Sequence, residues 1–319
     1  MSDLGVAYLY RYSESEDHAR RFIEGLRRFP AGVPHQLHVL FKGFPDHQSL
    51  ERAQNVFKGV AFNSIEVDDF GYDVGSYLKA ARQASNRRLV FLNTFSFVQS
   101  ANWLAHLSRA LDRPDVGIAG ATGSWLARPT GYEVQVLLIL SSFMRTATRL
   151  FNHGKTAESS DLAYQAAPRP ITTVRQALRY AHAPIAYVNI LRHYSRHPNP
   201  HIRTNAFMVE RKLFLSLKFP PLKTKEQAYQ FESGRRSMTN QIIARGLTPV
   251  VVGRDGKIFN IEEWQQSSTL WRNEQENLLV SDNRTREYAE AHPEFKRLLE
   301  NLAWRHPRFW QYPISWQKV

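Results

Sequence analysis

Apolar runs and turn residues alternate along the first part of the chain in steps that fit β–α–β units. Val6 to Tyr10 is an apolar run of strand length. Ser13-x-x-Glu16 has the form of a capping box, and Ala19, Phe22, Ile23 and Leu26 then share one helical face. Pro30, Gly32 and Pro34 mark a loop. Leu37–Phe41 and Ser64–Val67 predict two more strands, the latter ending at Asp68-Asp69. After Asp73, the apolar positions Val74, Tyr77, Leu78 and Ala81 follow helical spacing. Leu89–Leu92 is a continuous apolar run, as a strand buried on both faces requires. Trp103, Leu104 and Leu107 stripe the next helix, and Val116–Ala119 is another strand. This alternation predicts a mostly parallel sheet with helices on both faces.

The pattern breaks between Pro129 and Pro200. It predicts a helix over Val134–Leu150, a polar loop over Asn152–Pro170 and a helix over Ile171–Tyr194, stopped by Pro198 and Pro200. Asn205–Val209 returns as a strand. Ser233–Arg245 reads as a helix closed by Gly246, and Val250–Val252 as a further strand. The end of the chain interleaves Trp304, Arg305, Arg308, Phe309, Trp310, Tyr312, Trp316 and Lys318. Packing on the domain, docking to an anionic membrane surface and stacking on nucleic acid all fit such a tail; with no nucleic-acid motif present, the last ranks lowest.

Composition narrows the partners. Lys and Arg number 42 against 29 Asp and Glu, so the net charge of +13 favours anionic ligands. With no cysteine, disulfides and thiolate zinc sites are excluded. Val6–Tyr10 is too short for a secretion signal, and Val134–Phe143 is too short to span a bilayer. The expectation is a cytoplasmic protein, with peripheral contact on the inner membrane face as an option.

Each strand end carries a polar cluster with two readings. Asp73 could cap its helix, or with Asp68 or Asp69 it could hold a base or ribose, Gly75 letting the ligand approach. Asn93-Thr94-Phe95-Ser96 could be a turn or a ligand contact. Trp125, after Gly123-Ser124, could be core or could stack on a sugar ring. Glu232 could stabilise a helix N-terminus electrostatically. Trp271–Asn277 and Ser281–Arg286 are dense in hydrogen-bonding groups and could cover a ligand or cap a surface helix. His193, His197 and His201 recur every four residues, but Pro198 and Pro200 interrupt any helix that would align them on a metal.

The order of these clusters resembles that in glycosyltransferases of the GT-A fold, in particular inverting family two. The matching elements are Asn93 after an apolar strand, Trp103-Leu104 in the next helix, and Val116-Gly117-Ile118-Ala119-Gly120. Gly71-Tyr72-Asp73-Val74-Gly75-Ser76-Tyr77-Leu78 resembles the corresponding stretch of rhamnan-synthesis-type transferases. The resemblance implies one GT-A-like (Rossmann-like) α/β domain: residues 1–128 binding the nucleotide-sugar, a helical insertion at 129–200, an acceptor and catalytic half at 201–290, and a tail at 291–319. It implies an inverting transfer from a nucleotide-diphosphate sugar to a glycan or lipid-linked glycan hydroxyl, in bacterial surface-polysaccharide or lipopolysaccharide synthesis. Tyr10, Asp69, Asp73, Gly75, Asn93, Thr94 and Ser96 would bind the donor, and Trp125, Arg203, Asn205, Arg235, Trp271 and Asn277 the acceptor and sugar. Glu232 would be the base, beside Ser233 where the family often has a second acidic residue. Phe95 stands where the family's Asp-x-Asp supplies a carboxylate to Mg²⁺ or Mn²⁺. Either the enzyme requires no metal, with Arg203, Arg235, Arg236, Arg254 or Arg284 neutralising the diphosphate, or Mg²⁺ or Mn²⁺ takes its ligand from elsewhere in the chain. A nucleotide-sugar or glycan-binding protein without turnover is the alternative, and a membrane or nucleic-acid binder acting through charge alone is a third reading.

Overall fold

The computed structural model describes residues 2–130 and 183–305. The helix over 134–150, the loop over 152–170, most of the helix over 171–194 and the tail beyond Arg305 lie outside these residues.

The fold is α/β around an eight-stranded sheet. In chain order its strands are β1 (Leu4–Arg11), β2 (Gln36–Lys42), β3 (Asn63–Val67), β4 (Arg88–Leu92), β6 (Val116–Gly120), β9 (Ala206–Glu210), β10 (Thr248–Val252) and β11 (Ile258–Phe259). Across the sheet they run β11-β10-β6-β9-β4-β1-β2-β3. All pairings are parallel except those of β9 with β4 and β6, and of β10 with β11. The β3-β2-β1-β4 half has the Rossmann order, so the sheet is the mostly parallel one that the alternation predicts. Two short ribbons stand apart from it. One pairs β5 (Phe97–Val98) with β12 (Val280–Ser281); the other pairs β7 (Gly123–Ser124) with β8 (His201–Ile202).

Side-chain alternation on β1 divides the core. Val6, Tyr8 and Tyr10 point to the layer containing α1 (Glu16–Arg28), α2 (His47–Asn55) and α4 (Trp103–Ala110). Ala7 and Leu9 point to the opposite layer, with α3 (Tyr72–Gln83), α6 (Arg211–Leu215), α7 (Lys225–Ser233), α8 (Met238–Ile243), α9 (Asn283–Glu290) and α10 (Pro293–Trp304). The helix α5 (Ala183–His193) precedes β8. Among the described residues no helix is long and apolar enough to cross a membrane.

Three local departures bear on the site. Ser15, not Ser13, caps α1, accepting a hydrogen bond from the Asp17 amide. The helix read over Ser233–Arg245 is two helices. Chain 234–237 breaks them, and Ser237 caps the second by accepting from the Asn240 amide. Glu232 therefore lies in the last turn of α7, and the helix N-terminus reading of it does not hold. Likewise Asp73 is not an N-cap: Gly71 occupies that position at φ 79°, and Asp73 sits in the first turn. Trp304 is buried, its Nε1 donating to Leu270 O at 2.9 Å, so the described start of the tail packs on the domain.

Candidate functional site

The chain leaves β1 for β2 on one side and returns at β4 on the other. The sheet order reverses there, and a crevice outside the carboxyl ends of these strands is the place where such sheets bind ligands. Because β9 runs antiparallel, its amino end reaches the same edge.

On the α3 side, β1 ends in Arg11 and β2 in Lys42. Arg11 lies 3.8 Å from Asp69, and Lys42 Nζ lies 3.9 Å from it. Lys42 is only 2% exposed and donates to the carbonyls of Asp68 (3.1 Å) and Phe70 (2.7 Å), which fixes the loop presenting Asp69. Burial pulls the Lys42 ammonium below the usual lysine range, and Asp69 and Asp73 partly restore it. Asp73 is half-buried. Burial pushes its pKa up; Arg11 and Lys42 pull it back, while Glu232 and Glu14 add to the rise. No hydrogen bond from a described residue reaches this carboxyl, so its lone pairs are open to a ligand.

The charge of Glu232 bears on Asp73, and burial first, then Asp73 and Glu232, keep the Tyr77 phenol from ionising. Thr204 Oγ1 donates to Glu232 Oε2 at 2.7 Å, and Tyr77 OH donates to the Thr204 carbonyl at 3.2 Å. One Glu232 oxygen is thus oriented, and the other has no hydrogen bond from a described residue.

The turn between β8 and β9 ties the edge together, consecutive residues reaching different elements. Arg203 Nη2 meets Asp282 at 2.8 Å, Thr204 holds Glu232, and Asn205 Oδ1 accepts from Thr122 Oγ1 at 2.9 Å. Asp282, 1% exposed, also caps α9 by accepting from the Thr285 amide. The Asn205 carbonyl accepts from the Asn93 amide at 3.0 Å and from Ser96 Oγ at 2.9 Å. Asn93 Oδ1 in turn accepts from the Phe95 amide at 3.1 Å and lies 3.0 Å from Ser96 Oγ. Asn93 and Ser96 therefore shape the turn after β4. Thr94 Oγ1 and Asn205 Nδ2 are buried there without a hydrogen-bond partner from the described residues, at a cost a polar ligand atom or water would relieve.

The structure brings Asp69, Asp73, Asn93, Thr94, Ser96, Arg203, Asn205 and Glu232 to one edge, and places the remaining expected residues elsewhere. Tyr10 packs in an aromatic cluster with Phe41, Phe44 and Phe57 on the α1 side. Its neighbour Arg11 faces Asp69, and the period-2 alternation of a strand already separates the two. Gly75 packs closely: a Cβ there would lie 3.3 Å from the Phe70 carbonyl, so its smallness closes the first turn of α3. Trp125 meets Trp304 edge-to-face at 5.7 Å. Trp271 is a core residue, 8% exposed, with Nε1 donating to Arg284 O. Asn277 accepts from the Asp255 amide in the β10–β11 turn. Arg235 donates to the Leu191 carbonyl in the last turn of α5, a favourable place for a cation. Arg254 holds Gln99 and Arg284 holds Glu287. His193 ends α5 and His201 lies in β8, so no common helix aligns them. Among the described residues no group of three His, Asp or Glu side chains is arranged to hold a metal ion.

No family model matches the chain. No curated protein matches it either. Solved structures share the general fold at low similarity. A mannosyltransferase from Pyrobaculum calidifontis, in complex with GDP-Man and Mn²⁺, is 13% identical over 96% of this chain and 70% of its own, with a TM-score of 0.42. Glucosyl-3-phosphoglycerate synthase from Mycobacterium tuberculosis, in complex with Mn²⁺, UDP and phosphoglyceric acid, is 12% identical over 68% of this chain, with a TM-score of 0.33. The match spans 59% of that synthase. A CMP:2-keto-3-deoxy-manno-octonic acid synthetase complexed with CTP is 12% identical over 78% of this chain and 89% of its own, with a TM-score of 0.38.

Proposed function

We propose that this chain is a glycosyltransferase that moves a sugar from a nucleotide-diphosphate donor to a hydroxyl acceptor with inversion. The supporting observation is a chain of contacts at the sheet edge where the strand order reverses: Thr204 donates to Glu232, and Tyr77, one turn after Asp73 on α3, donates to the Thr204 carbonyl. Asp73 and Asp69 accept hydrogen bonds from the nucleoside. Arg203, held by Asp282, stands in the turn before β9 that bonds the turn after β4.

In this reading Glu232 takes the proton of the acceptor hydroxyl as its oxygen bonds to the anomeric carbon. The bond from that carbon to the diphosphate oxygen breaks in the same displacement, and the nucleoside diphosphate leaves. Thr204 fixes one carboxylate oxygen and leaves the other for the proton. The acceptor class we favour is a glycan or lipid-linked glycan of a bacterial surface polysaccharide, reached from the Thr204–Asn205 side. Phe95, where the family's metal ligand would stand, favours a second reading, a nucleotide-sugar-binding protein without turnover.

A thermal-shift screen of nucleoside diphosphates tests the site. One base is expected to raise Tm by roughly 5 °C at a concentration about a hundredfold above its Kd. No stabilisation by any nucleotide would remove the donor site from the account.

A further inference from the structure

Two arginines and a histidine border the turn that follows β4. Arg286 Nη1, on α9, donates to the Phe95 carbonyl at 3.2 Å. The His18 ring, in α1, meets the Phe95 ring edge-on at 4.8 Å. Arg21, one turn further along α1, lies over the Phe97 ring at 5.7 Å. The β5–β12 ribbon brings these groups together by pairing Ser281 with Phe97, just before α9 begins.

Among the described residues neither Arg21 nor Arg286 has a carboxylate within ion-pair distance, whereas Arg203 is paired with Asp282 and Arg284 with Glu287. The buried carboxylate nearest in sequence, Asp282, is already committed to Arg203 and the Thr285 amide. Burial and the charge of Arg21 weaken the hold of Arg286 on its proton, while Asp282 and Glu290 strengthen it. Burial, Arg286 and Arg21 also push His18 toward its neutral form. A half-buried guanidinium next to an exposed one favours an anion that can neighbour both.

The groups here do not fit a divalent cation. Phe95 offers no side-chain oxygen, and two guanidiniums would repel the ion. We propose that Arg286 and Arg21, with His18 beside them, form a diphosphate-binding site at the Phe95 turn, supplying the positive charge that a carboxylate-bound metal would otherwise bring. The proposal rests on the transferase reading and deepens it. The guanidiniums bind the two phosphate groups through charge-assisted hydrogen bonds and stabilise the leaving diphosphate as its charge grows.

Calorimetric titration of the full chain with UDP, GDP, UMP and GMP, in EDTA and then in Mn²⁺, tests it. The preferred nucleoside diphosphate is expected to bind equally in both buffers. Arg21→Gln and Arg286→Gln should each weaken it by about tenfold or more, with a smaller effect on the monophosphate. Arg21 is exposed, so its replacement does not threaten folding, and Arg245→Gln, on a distant helix end, should bind as the parent does. Binding that EDTA abolishes and Mn²⁺ restores overturns the proposal and leaves the transferase reading standing. So does unchanged binding by both variants. No nucleoside diphosphate bound in either buffer overturns both.

Discussion

Glu232→Gln is expected to lower kcat by about a thousandfold, the scale of a lost general base, while nucleotide affinity stays within about twofold. The two side chains have the same shape, and the amide oxygen can still accept from Thr204 Oγ1. Proton acceptance is lost, together with the negative charge that bears on Asp73 and Tyr77. Comparing single-turnover rates with calorimetric affinity separates the two effects. Equal turnover in parent and variant would remove Glu232 from the chemistry. A parent that binds nucleotide but never turns over donor would establish the binding-protein reading.

Asp73→Asn is expected to weaken nucleotide binding by about tenfold or more and to raise Tm near neutral pH. The two effects have one origin. Burial raises the Asp73 pKa above its ordinary 3.8, so the folded chain holds a proton that the unfolded chain has released. The unfolded state then binds fewer protons, and stability falls as pH rises from the ordinary value through the raised one. Asparagine has no such titration. Its advantage should be absent at acid pH below the ordinary carboxylate range, appear above pH 3.8 and level off once Asp73 is ionised in the folded parent. Melting curves across this range provide the check. A variant less stable than the parent at neutral pH would mean that the carboxylate is held by interactions stronger than its desolvation.

The sheet was legible because its strands are continuous apolar runs bounded by turn residues, and β-α alternation leaves few topologies. The short ribbons were not: β5, β7, β8 and β12 are two residues each, too short to carry a period. They nonetheless set the geometry of the edge, since β5 and β12 bring Arg286 to Phe95. The resemblance singles out Glu232, but its helix was misplaced because Gly234 and Ser237 inside an otherwise helical run mark a break. Arg11, not Tyr10, faces Asp69, and strand alternation distinguishes their faces. Trp271 and Asn277 come from a polar, hydrogen-bonding stretch whose groups turn out to bond one another and nearby backbone. Composition cannot separate such internal satisfaction from ligand contact.

In the proposed transferase, donor and acceptor meet at the carboxyl edge between β1 and β4. Hydrogen–deuterium exchange of the full chain, with and without the stabilising nucleoside diphosphate, maps that edge. Slowed exchange is predicted in 10–12, 68–75, 93–98, 203–205 and 282–286. Protection confined to the opposite end of the sheet, around 26–37 and 59–61, would contradict the account.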